Sequence, residues 1–391
     1  MAIPLKYNLR NLLTRRMTTL ATAGGIALVV VVTILLLSLV AGLKRMLVAT
    51  GSPNNLVVMR KGSTNDGSSS VTREAVQALR YLSGIARTPE GEPLVSPELI
   101  NQPFMRPKGG GRENVLVRGV TPVGYLVHGN IRFVAGRPPR PAVGEAAVGI
   151  AASQRYAGAG LGETLQFGRR TWQVVGIFTA DGSAFESEVW VDVGDLFTDA
   201  NRSMYSGVRL TVAPGADRDA LIRRIADDPS ISLEAKPEVD YYSEQAENAN
   251  TLYLLTSVLA IIMGTGAIFG AMNTMFAAVT YRTAEIGTLR ALGFSRRAVL
   301  VSFVGESVFL ALIGYLGGVL LGTGVVTAVN VLVHGVAFNL ASFSIAVVTL
   351  RLSPLILLVA LILAVVMGVF GGFLPARRAA RLRVTEALRR A

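Results

Sequence analysis

Cysteine is absent from the 391 residues, and histidine nearly so, with only His128 and His334. Without a thiol there is no cysteine nucleophile and no disulfide; this leaves the compartment open and fits an envelope protein that needs no cross-link. Two histidines give little material for a metal site or a Ser/His triad, so catalysis is not expected of this chain. Lysine is scarce as well. None of Lys6, Lys44, Lys61, Lys108 and Lys236 stands in a Gly-Lys-Ser/Thr sequence entering a helix, which excludes a phosphate-binding loop within these residues. Charge is the most telling absence. Residues 17–43, 248–281 and 353–376 carry none, and residues 298–350 carry only Glu306.

Each of these four stretches exceeds the ~20 residues a helix needs to cross a bilayer core. The charge that is present falls between them. A net charge of +12 and a pI near 10.3 would suggest a nucleic-acid partner in a soluble protein, but the location of the charge argues against one here. Residues 1–17, 281–298 and 376–391 hold 14 basic side chains against Glu285 and Glu386, whereas residues 44–248 hold 23 basic and 23 acidic ones. Short basic segments mark the cytoplasmic side. Both termini and the loop around residue 290 are therefore expected inside, with the polar domain and the segment near His334 outside. A fifth span would carry the C-terminal arginines across; Lys44 and Arg45 weigh the other way on the outer side but are outweighed by Arg15 and Arg16.

The expected fold is an α-helical membrane protein with four transmembrane helices and a large α+β extracytoplasmic domain inserted between the first and second. The expected divisions are a cytoplasmic interfacial helix (1–17), a first span (18–43), the external domain (44–248, with a β-rich insertion at 108–205) and a second span (249–280). A cytoplasmic helical segment (281–298), a third span (299–333), an outer loop (334–353), a fourth span (354–375) and a cytoplasmic tail (376–391) complete them. A cleaved secretory signal is the alternative for the first stretch, which is too long for one and lacks a clear small-x-small site. Leu5, Leu9, Leu12 and Leu13 share one helical face behind Pro4, beside Lys6 and Arg10, so residues 1–17 read equally as an interfacial helix or as a basic leader.

In the external domain, strands are expected at 55–60, 207–213 and 231–235, with helices at 71–83, opened by Thr72 or Ser70, and at 217–228. Shorter strands are expected at 114–120, 171–178 and 188–193, and mobile loops at 62–70 and 109–111. Glu186, Glu188 and Asp192 near Trp190 are read as the solvated face of a strand rather than an acid/base pair.

The segment Arg282-Thr-Ala-Glu-Ile-Gly-Thr-Leu-Arg-Ala-Leu-Gly-Phe294 repeats Ile286, Leu289 and Leu292 every three residues, with Gly293 to end a helix and Ser295 to cap the next. By periodicity it is either a cytoplasmic docking surface or an ordinary basic loop. Gly314, Gly318 and Gly322 form one small-residue face, Gly266 and Gly270 a second, and Gly368 and Gly372 a third; such faces let helices approach closely in lipid. Glu306 is expected near the inner surface, paired with a neighbouring helix or the N-terminal arginines, in a structural or coupling role rather than a proton relay. The apolar segment 335–350 either lies in the interface or packs under the external domain.

These residues resemble the FtsX-like permeases of MacB/Lol-type ABC systems. The most specific likeness is Glu285, Ile286, Gly287, Leu289, Arg290, Ala291, Leu292 and Gly293. Glu306-Ser307, Asn8-Leu9 with Arg15-Arg16, Pro375-Ala-Arg-Arg-Ala-Ala380, Glu386-Ala-Leu-Arg389 and Trp172-Gln-Val-Val-Gly-Ile177 resemble further family signatures. Val384-Thr385 stands where the family often has a proline. The resemblance implies a non-catalytic permease subunit, multi-pass in a bacterial cytoplasmic membrane. Its partners would be a separate ABC ATPase that holds ATP and Mg, a second permease subunit (the same or different), the lipid membrane and, for export, a periplasmic adaptor; no nucleic acid is implied. Fused relatives carry the nucleotide-binding domain at their N-terminus, whereas this chain begins at the interfacial segment, so a separate ATPase is expected. Arg282, Glu285, Ile286, Gly287, Leu289, Arg290, Leu292 and Gly293 would couple to it, with Ile286, Leu289 and Leu292 as buried anchors and Glu285 and Arg290 as polar contacts. Export or extraction of a hydrophobic or envelope substrate is the leading expectation. Mechanical control of a cell-wall hydrolase is the alternative, although FtsX itself usually has a smaller external domain. A sensor is disfavoured, because the inner segments are too short to hold an output domain.

Overall fold

The computed structural model describes residues 16–333, 335–339 and 345–382. The segment expected as an interfacial helix, apart from its last two residues, lies outside the described residues, as do His334, Phe343 and the tail beyond residue 382.

α1 (Arg16–Thr50) opens the described chain. An α/β unit follows with β1 (Asn55–Arg60), α2 (Arg73–Arg80), β2 (Val95–Asn101), β3 (Phe104–Met105), β4 (Glu113–Asn114), β5 (Val117–Val120), α3 (Pro122–His128) and β6 (Arg132–Gly136). It continues through β7 (Glu145–Gly149), α4 (Ile150–Arg155), β8 (Thr164–Phe167), β9 (Arg170–Thr179), β10 (Val189–Asp192), α5 (Val193–Ala200), β11 (Gly207–Thr211), α6 (Arg218–Asp227) and β12 (Leu233–Pro237). Then come α7 (Glu238–Tyr281), α8 (Thr283–Ala291), α9 (Arg296–Leu332), β13 (Val336–Asn339), β14 (Ile345–Val348) and α10 (Pro354–Ala380).

Among the described residues, four helices are long and apolar enough to cross a membrane: α1, α7, α9 and α10. The chain divides into a helical unit, made of the chain up to Ala41, Asn250–Leu332 and the chain from Leu350, and an α/β unit of Gly42–Ala249 with Val333–Thr349. Hydropathy marks only the apolar part of a helix. α1 accordingly runs past the expected end at residue 43 to Thr50, and α7 begins at Glu238, well before the uncharged run.

Within the α/β unit the local signals act as expected. Thr72 Oγ1 accepts from Ala75 N to open α2, and Asp217 Oδ1 accepts from Ala220 N to open α6. Nine strands follow the order β12-β1-β11-β2-β5-β10-β7-β9-β6, with β8 added on β9. The region 108–205, expected as a β-rich insertion, supplies β5 to β10 of this order. It extends the same sheet, because β2 pairs with β5 at Leu99↔Gly119 and Ile100↔Arg118. Alternation in sequence announces strands but not their partners. Two apolar cores result, one around Leu56, Leu79, Val208 and Leu210, the other around Val117, Val148, Trp172 and Leu196. The outer segment belongs to this unit: β13 pairs with β14, and Val347 N donates to Ser187 Oγ at 3.0 Å.

Candidate functional site

In the helical unit, α8 is a short helix between two long ones. Its chain turns at Arg282, and Gly293 at φ +94° ends it, a conformation that costs a residue with Cβ. Ser295 Oγ then accepts from Ala298 N and opens α9. The three apolar residues of α8 and its end, Ile286, Leu289 and Leu292, differ in exposure. Ile286 is 1% exposed and packs on Met275, Val279, Val299 and Phe303 of its own unit, and Gly287 is buried beside it. Ile286 is thus a bracket holding α8 down and not a free anchor. Leu289 and Arg290 are half-buried, with Arg290 Nη1 donating to Phe294 O at 3.1 Å. The outward residues are Tyr281, Glu285, Thr288, Ala291 and Leu292, with Leu292 70% exposed.

Arg282 is buried, and its Nη1 lies 2.8 Å from Glu306 Oε2 and 3.2 Å from Oε1. Its Nε donates to Glu285 at 3.2 Å, and the guanidinium lies over the Phe303 ring. Neither charge of the 282–306 pair would survive burial alone; together they fasten the start of α8 to α9. Glu306 therefore has its partner on a neighbouring helix segment, one of the two arrangements expected. The partner itself escaped notice because Arg282 falls just beyond the end of the uncharged run.

The glycine faces separate. A Cβ on Gly314 would come 2.7 Å from Ala23 O, and one on Gly318 would come 2.6 Å from Val30 Cβ, so this face seats α1, with Gly322 against Ile34. Gly368 meets Ala311 and Val308, and Gly372 meets Ser307, so the α10 face seats α9. Among the described residues Gly266 and Gly270 meet nothing within 4 Å, and the expected packing is not made there.

In the α/β unit, a buried charge cluster replaces the solvated strand face expected near Trp190. Trp190 and Glu188 are buried, and Trp190 Nε1 donates to Glu188 at 2.7 Å. Arg118 on β5 forks onto Glu188 at 2.6 and 2.7 Å and reaches Glu98 on β2 at 2.8 Å. Arg209 on β11 donates to the same Glu98 oxygen at 2.6 Å, to Glu238 at 3.0 Å, to Asp66 at 3.1 Å and to Tyr242 Oη at 2.9 Å. His128 Nε2 lies 2.7 Å from the other Glu98 oxygen. Burial would raise the Glu98 carboxyl, but Arg209, His128 and Arg118 outweigh it and hold it well below the usual carboxylate range. Glu238 also accepts from Ser52 N at 3.1 Å and Asn55 Nδ2 at 3.0 Å. The sequence carries a partial signal for this cluster: Glu98, Arg118 and Arg209 are the charged residues of their short strands.

Residues 19–228 match the MacB-like periplasmic core domain, and residues 257–384 match the FtsX-like permease C-terminal domain. The macrolide export ATP-binding/permease protein MacB of Agrobacterium fabrum is 38% identical over 140 residues, covering 36% of this chain and 20% of that protein. An uncharacterised ABC transporter permease of Methanocaldococcus jannaschii is 28% identical over 242 residues, covering 59% of this chain and 57% of that protein. The pyoverdine export ATP-binding/permease protein PvdT of Pseudomonas syringae is 37% identical over 145 residues, covering 37% of this chain and 20% of that protein. The chain thus spans between a fifth and somewhat over half of the length of these relatives. The periplasmic region of MacB from Actinobacillus actinomycetemcomitans aligns with a TM-score of 0.38 at 13% identity, covering 51% of this chain and 95% of that one. With the first domain alone matching more than half of its length and the second most of the remainder, the chain belongs to the MacB-like, FtsX-type family of ABC transporter permeases.

Proposed function

We propose that the chain is a permease subunit that couples ATP hydrolysis on a separate ATPase chain to movement of its external domain, for export or extraction of a hydrophobic or envelope substrate. The observation that carries this reading is α8. It is a short helix braced by the Arg282–Glu306 pair and by Ile286, and it offers Glu285, Thr288 and Leu292 on its free face. A brace transmits a push, and covering Leu292, 70% exposed, with a partner would remove apolar surface from water. The names of two relatives, macrolide export and pyoverdine export, support export as the task. The basic segments support a cytoplasmic position for α8, in a bacterial inner-membrane protein with the α/β unit outside. In this arrangement ATP and Mg2+ are held by the partner ATPase, this chain performs no catalysis, and a second permease subunit completes the assembly.

Leu292→Glu is expected to lower permease-stimulated ATP hydrolysis by about tenfold while leaving thermal unfolding unchanged. Wild-type stimulation in that variant would overturn α8 as the coupling surface. Labelling of Ser295→Cys from outside intact cells would overturn the orientation. Cross-linking in the native membrane followed by mass spectrometry identifies the partners: an ATPase with an adaptor supports export, and a cell-wall hydrolase in place of the adaptor replaces it.

A further inference from the structure

We infer that the end of α10 holds the phosphodiester headgroup of an anionic phospholipid. This site is distinct from the coupling surface but rests on the same reading of the helical unit as membrane-embedded. Arg377, Arg378 and Arg381 line an open cleft of about 440 Å³ together with Leu374 and Leu382, and among the described residues no acidic one shares its wall. All three guanidinium-bearing residues are exposed, and among the described residues none of the three makes an ion pair. Arg378 lies 5.9 Å over the ring of Phe276 on α7, which leaves Arg377 and Arg381 to face outward.

The arrangement along the helix identifies the ligand. Phe370, Leu374, Arg377 and Arg381 succeed one another at spacings of four, three and four, which puts them on one face of the helix. Val366 leads into this face, and Val366, Phe370 and Leu374 are 40%, 60% and 48% exposed. At the helical rise of 1.5 Å per residue, the apolar part from residue 366 to 374 is about 12 Å long, and the first arginine follows about 4.5 Å beyond it. An apolar track ending in two unpaired guanidinium forks is complementary to an acyl chain ending in a phosphate. Arginine is suited to this because its planar fork pairs two donors with two phosphate oxygens. A soluble anion would use the arginines and ignore the track; a zwitterionic lipid offers the same phosphodiester but brings its own cation beside the arginines, and so gains less from them. The anionic phospholipid uses both.

Native mass spectrometry of the purified full chain in detergent, with added phosphatidylglycerol, cardiolipin or phosphatidylcholine, tests this without needing any protein partner. Its failure is therefore separable from failure of the coupling reading. Wild type is expected to retain phosphatidylglycerol or cardiolipin in preference to phosphatidylcholine. Arg377→Gln with Arg381→Gln is expected to weaken that retention by about tenfold or more, since each basic residue near an anionic lipid surface contributes about 1 kcal/mol. The corresponding double lysine variant keeps the charge and should keep most of the binding. Lys44→Gln with Arg45→Gln, the same loss of charge on exposed residues of the α/β unit, should leave it unchanged. One cardiolipin in place of two phosphatidylglycerols would support a paired phosphodiester, and phosphatidylglycerol alone a single one. Equal retention of phosphatidylcholine, or full retention in the double glutamine variant, would overturn the site.

Discussion

Two guanidinium groups, on Arg118 and Arg209, lie inside the external domain at 2% and 0% exposure, surrounded by Glu98, Glu188, Glu238 and Asp66. Removing one member leaves the others charged and dry, so Arg209→Met is expected to cost the domain about 3–5 kcal/mol, read as a urea midpoint followed by tryptophan fluorescence. Acid acts on the same cluster. Because the folded Glu98 carboxyl is held below its ordinary value, its contribution is complete above the unfolded pKa of about 4.3 and is withdrawn as pH falls through the lower, folded value. The domain should therefore lose stability progressively as pH is lowered from about 5. Glu98→Gln should flatten that limb while lowering stability at neutral pH; urea midpoints at several pH values check both. The cluster was hard to read from sequence because a polar residue in an alternating strand ordinarily faces water. Only the sheet order, which puts β2, β11 and β5 side by side, gathers these charges into the interior.

At the level of elements, the three glycine faces have different fates and predict different outcomes. Gly318→Val would push a side chain into Val30 and the Ala27 carbonyl, and should destabilise the helical unit by about 1–3 kcal/mol. Gly270 meets no atom and lies on an exposed face of α7 with Leu259, Ile262 and Phe269. In a chain with no native cysteine, Gly270→Cys should fold normally and form a disulfide between two copies in the membrane, visible on a non-reducing gel. Monomer alone under oxidising conditions would remove Gly270 from any interface between two copies of this chain. Helix spacing made all three faces visible in the sequence, but spacing carries no information about what lies opposite. The same limit explains α8, where the repeat of Ile286, Leu289 and Leu292 announced a helix and left open which of them would be buried.

For the whole molecule, absence of charge was enough to locate the four long apolar helices but not their ends, since α1 and α7 run on beyond their uncharged stretches. The α/β unit was legible in its elements and not in its connectivity, because strand partners depend on chain crossings that no local pattern records. One such crossing governs how the protein can be made. β12 pairs with β1, and Glu238 immediately after it bonds Ser52 N across a separation of 186 residues. Until residue 238 leaves the ribosome, β1 keeps a bare edge and Arg209 lacks one of its carboxylates. The α/β unit therefore closes only as synthesis reaches the second apolar helix, and its maturation is tied in time to the emergence of α7.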